Sequence, residues 1–226
     1  MFGLSSTTDA ISLSDLFAGG TYQFDHLMLS DWQLVNAENV NIDNIDIGTG
    51  YYDNEFGVWE KNHELYVNSV STREKTLSFD FLVTGIGVDI VQVKGDLGYR
   101  RISGYWWDSP WITGSIAIGT SRGDNDLGQL TDVYRLYRNN YTAWINLPDG
   151  LNQIWIRNTI TLNSSSHGYA EAGYVSSLGY GPAFRNEFIT QPAVLVPEPA
   201  GQLLFGIGIA VLAGLNLRRK KKEPQG

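Results

Sequence analysis

The stretch Thr76–Val83, TLSFDFLV, places apolar Leu77, Phe79, Phe81 and Val83 at every second position and polar Ser78 and Asp80 between them. Side chains of an extended chain alternate between faces, so this period of two predicts a strand with one buried face. GVDIVQVKG (87–95) continues in the same style through Val88, Ile90, Val91 and Val93, with a phase slip that reads as a bulge. Working outward, VNIDNIDIG (40–48), SIAIG (115–119), DVYRLY (132–137), TAWINL (142–147), QIWIRNTITL (153–162) and EFITQPAVLV (187–196) supply further strands. Turn-forming residues separate them: GTG at 48, TGIG at 84, RGDNDLG at 122, PDG at 148 and NSSSHG at 163. Strands at this spacing, without alternating helices, predict an all-β, antiparallel, jelly-roll-like β-sandwich over residues 1–195. Asp43 and Asp46 fall in strand-like sequence and are expected to face solvent. Only two places suggest helix: SLSDLF (12–17), with Ser12 or Ser14 as cap, and the C-terminal run.

The charge is unevenly placed. The chain has 226 residues and a net charge of −8, yet residues 1–195 hold 11 Lys and Arg against 22 Asp and Glu, while residues 196–226 hold five against two. An acidic body with scattered cations is a poor polyanion binder, so nucleic acid is not expected as a partner. The absence of cysteine removes disulfides, thiolate catalysis and cysteine-based zinc sites.

Candidate chemistry in the body is sparse. GTSRG (119–123) matches G-x-S-x-G, but the sequence that follows Ser121 is turn-forming, where a nucleophile elbow requires a helix. A serine hydrolase using Ser121 is therefore the weakest of the functional readings, and a turn hydroxyl the plainer one. Asp124 and Asp126, with Asp132 beyond, offer oxygen ligands for Ca²⁺, but the remaining carboxylates of a calcium loop are missing. His26, His63 and His167 are too widely spaced for a histidine metal site. No catalytic residue, metal site or cofactor is expected. The densest constellation is GYWWDSPWITG (104–114), which sets Tyr105, Trp106, Trp107 and Trp111 around Asp108. Flat aromatics stack on the C–H faces of sugars and a carboxylate accepts from their hydroxyls, so this loop is a candidate glycan contact. The plainer reading is aromatic core plus a turn, since Trp106 and Trp107 must face opposite sides of a strand.

The last 31 residues differ in kind. Pro197-Glu198-Pro199 predicts a stiff, extended tripeptide. Ala200–Leu217 then runs 18 residues without a charge, roughly 27 Å as a helix, which predicts a single C-terminal transmembrane helix in contact with membrane lipid. Arg218, Arg219, Lys220, Lys221 and Lys222 follow directly, and basic clusters stay on the cytoplasmic side, which places the body outside.

In that order, the motif at 196–199, the apolar run at 200–217 and the basic tail at 218–222 resemble the PEP-CTERM sorting segment of Gram-negative bacteria. The resemblance implies an exported protein handled by exosortase, a membrane-embedded enzyme that recognises Pro197, Glu198 and Pro199 while the basic cluster retains the tail. It also implies an inner-membrane anchor before processing, an outer-surface or extracellular place afterwards, and an association with exopolysaccharide or biofilm matrix. SLSDLFAGGTYQFDHLMLSDWQLV (12–35), LSFDFLVTG (77–85) and IWIRNTITLNSS (154–165) resemble, more loosely, the domain of a recurrent group within that family. Export implies an N-terminal signal, and MFGLSSTTDAISLSDLFAGG has neither a basic n-region nor an apolar h-region. The expectation is that the natural start lies upstream. The leading functional reading is thus a non-enzymatic, exported envelope protein, with a carbohydrate-binding module as the alternative.

Overall fold

A computed structural model describes residues 10–49, 55–61, 64–98, 100–104, 110–135, 138–139, 143–164, 168–172, 174–176 and 179–193. The chain enters through β1 (Ile11–Ser12) and α1 (Leu13–Phe17), where Ser12 Oγ accepts from the Asp15 N–H at 3.2 Å and so caps the helix. β2 (Tyr22–Phe24) and β3 (Leu27–Glu38) come next. A 3₁₀ turn at Ile42–Asn44 leads into β4 (Ile45–Thr49), so only the second half of VNIDNIDIG is strand. β5 (Glu55–Glu60), β6 (Tyr66–Asn68), β7 (Glu74–Gly85), β8 (Val88–Leu97) and β9 (Arg100–Gly104) follow. Then come β10 (Trp111–Gly119), β11 (Gly128–Arg135), β12 (Arg138–Asn139), β13 (Ile145–Asn146) and β14 (Gln153–Asn163). β15 (Gly168–Ala172), β16 (Tyr174–Ser176), β17 (Gly179–Gly181) and β18 (Phe184–Pro192) complete the described chain.

These strands form two large antiparallel sheets. One has seven strands in the order β12-β11-β10-β14-β7-β3-β2, and the other six in the order β1-β4-β5-β18-β8-β13. A three-stranded sheet, β6-β15-β9, and the β16-β17 pair are separate. β7 crosses to β8, in the other sheet, through Ile86 and Gly87 alone, and the φ of +73° at Gly87 makes so tight a passage possible. The inner faces meet through aromatic rings: Phe81 of the seven-stranded sheet lies 5.5 Å from Phe56 of the six-stranded one, and Phe24 lies 5.9 Å from Phe188. Leu77, Phe79, Phe81 and Val83, the apolar set of the stretch that predicted the fold, are all fully buried. The β-sandwich expectation holds.

Four details depart from the sequence reading. Ser78 and Asp80 are also buried, because β7 lies between β14 and β3 and its outer face carries hydrogen-bonded pairs. Ser78 and Thr159 share a 2.8 Å hydrogen bond, and Asp80 accepts twice from Arg157. Asp46 does not face solvent either; it is 6% exposed and paired with the Lys61 ammonium. TAWINL contributes only the two residues of β13. The expected phase slip in β8 is a bulge at Val91: Gln92 pairs with Ile189 and Ile90 with Thr190, leaving Val91 as the extra residue.

The fourth departure concerns the membrane. Among the described residues no helix is long and apolar enough to cross one. The α-helix there, α1, has five residues, where a span needs about 20. The expected fold, a sandwich with a single C-terminal transmembrane helix, is corrected to an all-β antiparallel sandwich. Met1–Ala193 is one unit and Val194–Gly226 a second. Residues 200–217, Pro197, Glu198, Pro199 and the cluster Arg218 to Lys222 lie outside the described residues.

Candidate functional site

Of the aromatic constellation, Tyr105, Trp106, Trp107 and Asp108 lie outside the described residues. Trp111 opens β10, partly buried, and is in register with Arg135 on one side and Asn163 on the other. Ser121 lies in an exposed turn closed by the Asp124 N–H donating to the Ser121 carbonyl at 3.2 Å. The chain runs from there into β11 without a helix, so the strand-turn-helix geometry of a nucleophile elbow is not formed. Asp126 accepts from the Thr120 hydroxyl at 2.7 Å and the Thr120 N–H at 2.9 Å, which hold its carboxyl below the ordinary range. Asp132 stands apart from that turn, opposite Gly114 in the middle of β10. Among the described residues no group of three or more His, Cys, Asp or Glu is placed to hold a metal ion.

The side chains that do come together line a cleft of about 370 Å³: Lys94, Asp96, Leu97, Gly98, Arg100, Asp132 and Arg185. Its position follows from sheet architecture. β13 pairs with β8 only at Gln92 and Val93, so it does not cover the edge of β8 from Lys94 to Leu97. β11, in the opposite sheet, supplies Asp132 to that edge, and the Leu97 N–H donates to Asp132 Oδ2 at 3.0 Å. Register fixes the rest. Asp96 pairs with Arg185 and Lys94 with Glu187 across β8 and β18, so alternate residues present their charges on one face.

The charges are closely matched. Arg185 donates to Asp96 through Nε at 3.0 Å and Nη2 at 2.8 Å, a bidentate fork. Lys94 donates to Glu187 at 2.9 Å and lies 3.2 Å from Asp96. Burial pulls the Lys94 pKa down, but the hydrogen bond to Glu187 and the charges of Asp96 and Glu187 outweigh it and hold it above the ordinary value. Arg100 donates to the Leu97 carbonyl, lies 3.6 Å from Asp132 and stacks 4.8 Å from the Tyr134 ring centroid. Burial pushes the Asp132 carboxyl up, against the pull of the Leu97 N–H and Arg100. Asp132 is 2% exposed and its Oδ1 has no hydrogen-bond partner. Trp144, just before β13, brings its ring within 5.9 Å of the Lys94 ammonium.

Lys94, Asp96 and Arg185 carried no signal in the sequence, since the pairs Asp96–Arg185 and Lys94–Glu187 join residues 89 and 93 positions apart. Arg100 carried none either, as one of the scattered cations, and Asp132 was visible only as a distant companion of the 124–126 turn.

No family model matches the chain, and no curated relative matches it. Among solved structures, the carbohydrate-binding module TmCBM61, in complex with β-1,4-galactotriose, is similar over 70% of this chain and 89% of its own, at 8% identity and a TM-score of 0.30. A likeness of that size assigns neither fold nor ligand.

Proposed function

We propose that the β-sandwich is a non-catalytic glycan-binding module of an exported envelope protein. The observation that carries this reading is the cleft at the sandwich rim, where donors and acceptors stand side by side and the Trp144 ring lies 5.9 Å from the Lys94 ammonium. Ligands dense in hydroxyls both donate and accept, and present C–H faces to indoles, so this mixture suits them. Affinity electrophoresis of the full chain through gels cast with exopolysaccharide tests the reading. Retardation that scales with polysaccharide concentration is expected, and mobility equal to that in blank gels for every polysaccharide tried would overturn it.

A second reading concerns the tail, and it rests on the order of residues there. Pro197-Glu198-Pro199, an uncharged run at 200–217 and Arg218 to Lys222 together suit a sorting segment processed by an exosortase-type enzyme. Glu198→Ala is expected to leave the body folded and to abolish C-terminal processing in a host that carries such an enzyme. Intact mass spectrometry reads this directly: an unprocessed wild-type chain in that host would refute it.

A further inference from the structure

We propose that Asp149-Gly150 is a modification site, at which the backbone rearranges spontaneously and the aspartate becomes β-linked while the sandwich stays folded. The reaction needs no enzyme, cofactor or oxidant. It needs an aspartyl or asparaginyl side chain, a following backbone nitrogen free to attack it, and room for a five-membered ring.

A Gly or Ser after Asp or Asn leaves that nitrogen least shielded, and the sequence has four such pairs: Asn68-Ser69, Asp108-Ser109, Asp149-Gly150 and Asn163-Ser164. Asp108-Ser109 lies outside the described residues. Of the other three, the fold closes two. The Ser69 N–H donates to the Gly168 carbonyl at 3.2 Å, and Asn68 Oδ1 accepts from the N–H groups of Val70 and Ser71 at 2.9 and 2.7 Å. The Ser164 N–H donates to the Arg73 carbonyl at 2.9 Å, on a residue that is fully buried. A nitrogen whose proton is held in this way must give up its hydrogen bond before it can attack.

Asp149-Gly150 differs on each count. Both residues are exposed in the turn between β13 and β14, and neither the Asp149 carboxyl group nor the Gly150 N–H has a hydrogen-bond partner among the described residues. Gly150 has a φ of +78°, and a Cβ there would meet nothing within 4 Å, so the ring has space. In the first step the Gly150 nitrogen attacks Cγ of the Asp149 carboxylic acid. A C–N bond forms, a Cγ–O bond breaks, and the hydroxyl leaves as water with the amide proton. Water then adds to the original main-chain carbonyl carbon of Asp149 and breaks its bond to the Gly150 nitrogen. The products are a free α-carboxylate and a main chain longer by one methylene. Both ends of the turn are pinned, by the Leu147 N–H to the Val91 carbonyl at 2.8 Å and by the Leu151 and Asn152 carbonyls, which accept from Ile90 and Gly85 at 2.7 Å each. The added length is confined between Pro148 and Gly150, at a loop tip, where a change of chain length is tolerated.

Storage of the full chain at neutral pH, followed by proteolysis and electron-transfer fragmentation, reads the linkage at each pair separately. β-Linked aspartate is expected to accumulate at Asp149 at least threefold faster than at Asn68 or Asn163, whereas free peptides carrying the same three pairs convert at all of them. A smaller ratio in the folded chain, or no product at Asp149, overturns the proposal. Asp149→Glu, which would require a six-membered ring, is expected to remove the product at that position and to keep the wild-type melting profile; a product that persists there refutes the ring-closure route. The converted chain, separated by ion exchange, is expected to melt cooperatively, and loss of that transition would show that the turn cannot take up the added methylene.

Discussion

Asp80 and Arg157 face each other across β7 and β14, joined by two parallel hydrogen bonds of 2.7 and 2.9 Å. The carboxylate is almost wholly covered, at 4% side-chain exposure, while the guanidinium keeps 35%. The hydrogen bond and charge of Asp80 hold the Arg157 pKa above its ordinary value despite the opposing effect of burial. Arg157→Met would strand a covered carboxylate and is expected to cost about 3 kcal/mol of stability. Asp80→Asn, which leaves the arginine free to reach water, is expected to cost about 1 kcal/mol. Urea unfolding of both single variants and the double variant checks this; additive losses would show that the pair is not coupled.

Gly114 of β10 lies directly against Phe184 of the opposite sheet. A Cβ there would lie 2.4 Å from the Phe184 ring of the opposite sheet. Gly114→Ala is expected to destabilise the sandwich by about 1–3 kcal/mol through overpacking. Phe184→Leu in the same chain removes the clashing ring edge, so the double variant should lose less than the sum of the two singles. Equal or greater loss would mean that the sheets separate by another route.

Asn158, between Phe79 of β7 and Ile116 of β10, is fully buried, and neither its Oδ1 nor its Nδ2 has a hydrogen-bond partner. Asn186 of β18 is in the same state. Because an unpaired buried amide costs about 1–3 kcal/mol, Asn158→Val should stabilise the protein by about 1 kcal/mol, helped by the strand preference of valine. A melting temperature below that of the wild type would show that the amide is satisfied in solution.

Glu64 gives stability a pH dependence of known sign. Burial would raise its pKa, but the Asn41 N–H at 2.7 Å, the Asn44 amide at 3.1 Å and the Lys75 ammonium at 3.2 Å outweigh that and hold it below the ordinary 4.5. A carboxyl with a lowered folded pKa contributes stability above its unfolded value, and that contribution is lost as pH falls through the folded one. Glu64→Gln is therefore expected to melt below the wild type at pH 7, with the gap closing as pH falls below the ordinary 4.5 and through the lowered folded value. A gap that persists into acid would assign the effect to shape and not to charge.

The architecture was more legible in the sequence than the site was. Period-two alternation in TLSFDFLV and QIWIRNTITL needs only one strand to be read, and β7 and β14 lie where the pattern puts them. The burial of Ser78, Asp80 and Asp46 was not legible, because it depends on what neighbouring strands lay over them. The aromatics from Tyr105 to Trp111 are adjacent in the chain and so stand out in the sequence, whereas the cleft gathers residues from β8, β9, β11 and β18, and nothing local marks Lys94 and Arg185 as neighbours.

The distance along the chain between those residues has a consequence for biogenesis. Arg185 and Glu187 arrive with β18, the last strand described, 89 and 93 positions after the residues they pair with. Contacts this remote in sequence form slowly, because the intervening chain must be brought to order before they are made. A chain clipped ahead of Phe184, or caught partway through translation, has Asp132 and Lys94 but no assembled rim. Assembly of the cleft would then report that the chain has been made at least as far as Glu187, a readout that follows from the order of synthesis.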